Sequence, residues 1–107
     1  MEIHHRKLVT IVTEAVIERE ITHELDAMRV PGYTITNARG KGRRGDRIAD
    51  WEHGANIRIE IICDDNLAME VAERLHDQYY NDYAMVLYLS DVSVLRPKKF
   101  DKLEGKS

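Results

Sequence analysis

The run Asn56-Ile-Arg-Ile-Glu-Ile-Ile-Cys63 alternates isoleucine with polar or charged neighbours. A two-residue period belongs to a strand with one dry face, because successive side chains leave a pleated backbone on opposite sides. Ile57, Ile59 and Ile61 are thus expected to face a core, and Asn56, Arg58 and Glu60 to face away from it. Such a strand needs a covering layer on one side, and the rest of the chain supplies one.

Upstream, Lys7-Leu-Val-Thr-Ile-Val12 is a short β-branched run that reads as a first strand. Thr13 is expected to cap a helix from Glu14 to Met28, with Glu14 in the first turn, where the helix dipole favours an acid. Ile17, Ile21, Leu25 and Met28 draw one apolar stripe along that helix. Val30-Pro31-Gly32 is expected to stop it. Tyr33 to Ala38 reads as a second half-buried strand, with Thr34 and Thr36 on one side and Tyr33 and Ile35 on the other. After the third strand, Asp64 and Asp65 open a helix whose core stripe is Ala68, Val71, Ala72, Leu75 and Tyr79. The polar turn Tyr80-Asn81-Asp82-Tyr83 leads to a strand over Ala84 to Leu89, and Val92 and Val94 continue an extended edge before Pro97. The order βαββαβ predicts an α+β, ferredoxin-like domain over residues 1–95, an antiparallel sheet with two helices on one face. Residues 96–107 remain as a basic tail, for which a frayed, solvated terminus is one of two readings.

Between the second and third strands, Arg39-Gly-Lys-Gly-Arg-Arg-Gly-Asp-Arg47 sets five bases around three glycines. Glycine lets backbone N–H groups approach a ligand, and arginine offers a planar fork of donors, so the segment predicts an anion grip. Its spacing also matches G-x-G-x-x-G, but a dinucleotide fold needs a helix to begin inside the motif, and Asp46 to Gly54 has no helical period. The formal net charge is -3, so the bases are local, as are the five in the segment from Arg96 onward. Local anion sites fit this pattern better than a nucleic-acid-coating face. Cys63 is the single cysteine and reads as a buried strand thiol. No secretory signal or apolar run of roughly 20 residues is present, so a cytoplasmic location is expected, with membrane contact only through a partner. The helix-free sheet face, with Ile62 among charged residues, predicts self-association, or else simple solvation.

Gly32-Tyr33-Thr34-Ile35-Thr36, Arg39-Gly40-Lys41-Gly42-Arg43 and Ile57-Arg58-Ile59-Glu60-Ile61 stand in the order of the PII signal-transduction family, which the chain resembles. Leu8-Val-Thr-Ile-Val-Thr-Glu14, Ala55-Asn56-Ile57 and Asn81-Asp82-Tyr83-Ala84 look like the PII-like regulators of bicarbonate transport and their carboxysome-associated relatives. That resemblance implies a homotrimer holding adenine nucleotides in clefts between subunits, and it makes residues 39–54 the T-loop. Gly40 and Gly42 would then present N–H groups, with Arg43, Arg44 and Arg47 supplying charge to the phosphate. Thr34 and Glu60 would line the cleft, Tyr83, Ala84 and Met85 would form its turn, and Arg96, Lys98 and Lys99 would approach from a neighbouring chain.

Asn81-Asp82-Tyr83 stands where ordinary PII proteins have a basic, glycine-rich turn for a triphosphate, which favours AMP, ADP or cyclic AMP over ATP. Arg44 aligns with the glutamine through which ordinary PII proteins bind magnesium and 2-oxoglutarate, so sensing of 2-oxoglutarate is not expected, and no metal is expected to be required. The T-loop has no Tyr, Ser or Thr to modify. Control is therefore expected through ligand-dependent ordering of the loop, with Ile48, Trp51 and His53 offered to a partner such as a bicarbonate or other anion transporter, and bicarbonate as a second ligand. Competing readings are a trimeric metal-tolerance protein and a small acyl-phosphate or phosphate-ester hydrolase. The histidines lack ligand spacing, and Val12-Thr13-Glu14 lacks the glycine and arginine of a phosphate loop after the first strand.

Overall fold

A computed structural model describes residues 1–40 and 55–104. β1 (His4–Glu14), α1 (Glu18–Ala27), β2 (Thr34–Ala38), β3 (Asn56–Cys63), α2 (Asp65–Tyr79) and β4 (Met85–Val94) follow one another along the chain. The strands form one antiparallel sheet in the order β2-β3-β1-β4, with both sequence-adjacent helices on the same face, so the ferredoxin-like arrangement holds. None of the described helices is long and apolar enough to cross a membrane.

The alternation in β3 works as its sequence predicts for the isoleucines. Ile57, Ile59 and Ile61 are buried and pack with Val9 and Ile11 of β1 against Ile21 and Leu25 of α1 and Val71 and Leu75 of α2. Asn56 departs from the pattern. It is 5 % exposed, because it sits in register with Ala38 on one side and Glu14 on the other, at an end of the sheet that three strands enclose.

Thr13 is not a helix cap, and Glu14 is not in a helix. β1 runs through both, and a 3-10 turn over Ala15–Ile17 precedes α1. Pairing with β3 and β4 on both flanks extends β1 beyond its β-branched run, since ladder hydrogen bonds outweigh a local capping preference. β2 starts at Thr34, one residue later than expected, and Tyr33 lies outside it. β4 is one continuous strand through Val94, held by its pairing with β1 down to His4. At α2 the capping expectation holds: the Leu67 N–H donates to the Asp64 carboxylate at 2.8 Å.

α1 ends before Pro31 is reached. The Val30 N–H donates to the Leu25 carbonyl and the Arg29 N–H to that of Asp26, a Schellman closure with buried Val30 as its hydrophobic contact. This places Arg29 at φ 61°, a conformation that costs an L-residue with a Cβ about 1–2 kcal/mol. Arg29→Gly is accordingly expected to stabilise the domain by about 1 kcal/mol, because an exposed hydrogen bond from the lost guanidinium contributes less than the relieved strain. A urea midpoint lower than that of the parent protein would contradict this.

The tail is docked over its described length. Pro97–Phe100 form a 3-10 turn, the Leu103 N–H donates to the Arg29 carbonyl at 2.8 Å, and Arg29 Nη1 donates to the Glu104 carbonyl at 3.1 Å. The reading of a frayed terminus therefore fails through residue 104. One backbone hydrogen bond and one from the Arg29 side chain tie it to the end of α1, while residues 101–104 stay exposed to solvent.

Candidate functional site

On the helix-free face, register sets Thr34 beside Glu60 and Leu8 beside Ile62. Period two then brings all four to the same side of the sheet. With Pro31, Gly32 and Tyr33 ahead of β2 and Lys99 and Phe100 of the tail, they line a groove of about 420 Å³. The groove joins one carboxylate, one ammonium, a threonine hydroxyl and two aromatic rings, which suits a flat, partly polar ligand. A Cβ added at Gly32 would meet nothing within 4 Å, so this rim is open. Burial pushes the Tyr33 hydroxyl above its usual range, with Asp26 and Glu18 adding to the effect, so it stays a hydrogen-bond donor at neutral pH.

A second cluster lies at the end of the sheet where β2 stops and β3 begins. Ala38 pairs with Asn56 and Asn56 with Glu14, and Thr13 faces Met85 in β4. The turn between α2 and β4 closes on this end. Thr13 Oγ1 donates to the Ala84 carbonyl at 2.7 Å, and the Ala84 N–H donates to Glu14 Oε2 at 2.8 Å. Tyr83 and Met85 pack against the core, and the Tyr79 and Tyr83 rings meet with centroids 6.0 Å apart. The Tyr83 and Met85 side chains are thus partly buried against the core.

The residues singled out from sequence fall into three places. Thr34 and Glu60 share the groove. Gly40, exposed, follows β2 near the second cluster, which holds Tyr83, Ala84 and Met85. Arg96 and Lys98, both exposed, lie past the other end of β4. Gly42, Arg43, Arg44, Arg47, Ile48, Trp51 and His53 lie outside the described residues. Sequence reading assigned no clamp to Thr13 and Glu14 and no groove position to Tyr33 or Phe100. Glu14 and Ala84 are 70 residues apart in the chain, and no local pattern signals such a pairing. Among the described residues no group of three or more His, Cys, Asp or Glu side chains is gathered to hold a metal.

Known proteins share this architecture. A PII-like signalling protein of Thermus thermophilus is 41 % identical and superposes with a TM-score of 0.77, over 94 % of this chain and 99 % of that one. CPII of Thiomonas intermedia, in a structure with ADP and bicarbonate, is 27 % identical with a TM-score of 0.81, covering 92 % of this chain and 97 % of that one. A CPII structure with ADP, AMP and bicarbonate gives 27 % and 0.80, covering 94 % and 98 %. The family model for nitrogen regulatory protein P-II matches residues 6–99. With βαββαβ order, the β2-β3-β1-β4 sheet and that match across nearly the whole domain, the chain belongs to the nitrogen regulatory protein P-II family.

Proposed function

We propose that this protein is a PII-like regulator that binds AMP or ADP between subunits of a homotrimer and, through its T-loop, controls a partner in bicarbonate uptake or carbon concentration. The observation that carries the reading is the split placement of the expected ligand residues. Met85 and Val94 stand nine positions apart in register along β4, about 30 Å at strand rise. Gly40 with Ala84 and Arg96 with Lys98 therefore belong to opposite ends of one chain. A cleft between two chains would bring such ends together, with the Thr34–Glu60 groove as one wall. Val86 and Tyr88, 53 % and 46 % exposed on β4, give the helix-free face apolar surface for a neighbouring subunit.

The ligand class is supported by CPII, whose structures hold ADP, AMP and bicarbonate, and by the acidic turn at Asp82. Arg43, Arg44 and Arg47 are assigned to the phosphate, and Ile48, Trp51 and His53 to the partner, an anion transporter by preference. Bicarbonate is the proposed second ligand. Titration calorimetry with AMP, ADP, ATP and cyclic AMP, with and without bicarbonate, tests the reading alongside a mass measurement in solution. Saturable AMP or ADP binding by a trimer is expected, and Arg44→Ala should weaken it by about 1.5–3 kcal/mol, the range for a hydrogen bond to a charged group. A monomer indifferent to all four nucleotides would refute the reading.

A further inference from the structure

We propose that Glu14 is a specificity-determining residue: its carboxylate occupies the anion-accepting backbone position of the α2–β4 turn and biases the site against polyphosphate. The proposal rests on the nucleotide reading above and deepens it. Backbone N–H groups of a turn are natural donors to phosphate. Here the Asp82 and Tyr83 N–H groups both donate to the Tyr79 carbonyl, at 3.2 and 3.0 Å, closing the end of α2. The Ala84 N–H, the next one along, donates instead to Glu14 Oε2 at 2.8 Å. Of these three donors it alone is taken by a side-chain anion, the chemical class a phosphate oxygen belongs to.

The charge is also held in place. Thr13 Oγ1 fixes the carbonyl of the same alanine, so both polar backbone groups of Ala84 are gripped by consecutive residues of β1. Glu14 pairs with Asn56, which pairs with Ala38, so two strand spacings, about 10 Å, separate the Glu14 backbone from the root of the glycine-rich segment. That lies beyond the Debye length of about 8 Å at physiological salt but well within the one of about 30 Å at 0.01 M, so the charge is felt at low salt. A ligand phosphate held at this end of the sheet therefore meets the repulsion of Glu14, and each further phosphate adds to it.

Calorimetry with AMP and ATP on the parent protein, Glu14→Gln and Thr13→Val separates charge from structure. Glutamine keeps an oxygen that can accept the Ala84 N–H while removing the charge, and valine breaks the other half of the clamp with no change in charge. Glu14→Gln is expected to raise the ratio of ATP to AMP affinity about tenfold at low salt, less at high salt, and Thr13→Val to leave it within about twofold. Should Glu14→Gln fail to fold, the neutral Glu14→Ser carries the same test. Parent protein that binds AMP, with an unchanged ratio in the neutral variant, would overturn the role of Glu14 alone. Parent protein that binds neither nucleotide would remove the nucleotide reading and this role with it.

Discussion

Ile59→Ala is expected to destabilise the domain by about 3–4 kcal/mol, within the range for truncating a buried isoleucine. Ile59 is 0 % exposed and lies in the middle of the sheet, in register with Ile11 of β1 on one side and Ile35 of β2 on the other. Its helix-facing side sits in the same cluster as Ile21, Leu25, Val71 and Leu75, all 0 % exposed. Removing three carbons there loses their transfer free energy and leaves a cavity bounded by a paired sheet and two anchored helices, none of which can collapse far. Arg58→Ala, one residue away on the exposed face, is the control and should cost less than about 0.5 kcal/mol. Urea unfolding of both variants, followed by circular dichroism, measures the contrast, and equal midpoints would show that the alternation of β3 does not set the core.

A comparably large effect is expected at Cys63. The thiol is fully buried at the end of β3, and burial pushes its pKa up from 9.0 to about 12, with Asp64 and Asp65 adding to the rise. Only the thiolate reacts with an alkylating reagent. A three-unit rise lowers the thiolate fraction near pH 8 by about 1,000-fold relative to an ordinary thiol, before the lack of access is counted. Iodoacetamide should therefore leave the folded protein unlabelled under conditions that label the guanidinium-unfolded chain fully, and similar rates in the two states would contradict the placement. The same shift has a consequence for stability. The unfolded thiol loses its proton near pH 9 while the folded one keeps it until about pH 12, so the unfolded state binds fewer protons in that window. This contribution is complete below pH 9 and is lost as pH rises from 9 toward 12.

Amino-acid order alone determined the element sequence and the core, because those are properties of local period. Ile57, Ile59 and Ile61 at two-residue spacing, and Val71 and Leu75 one helical turn apart, can reach a common interior only as a strand and a helix, and all five are buried. The same holds for the lone buried cysteine and the cap at Asp64. Family membership was legible too, since the short motifs from Leu8 to Ala84 occur in a fixed order. Tertiary structure decided what depends on partners far along the chain. Thr13 and Glu14 read as a helix start because the neighbours that make them strand are Ile57 and Asn56 in β3, with Met85 of β4 beside Thr13. Asn56 reads as outward-facing by alternation, yet it is enclosed by Ala38 and Glu14 from two other strands. The groove with Phe100 beside Thr34, and the grip of Glu14 on Ala84, likewise exist only after the sheet has closed. Periodicity reports which side of an element is dry, whereas hydrogen-bond satisfaction at the ends of a sheet is settled by whichever groups the fold delivers there.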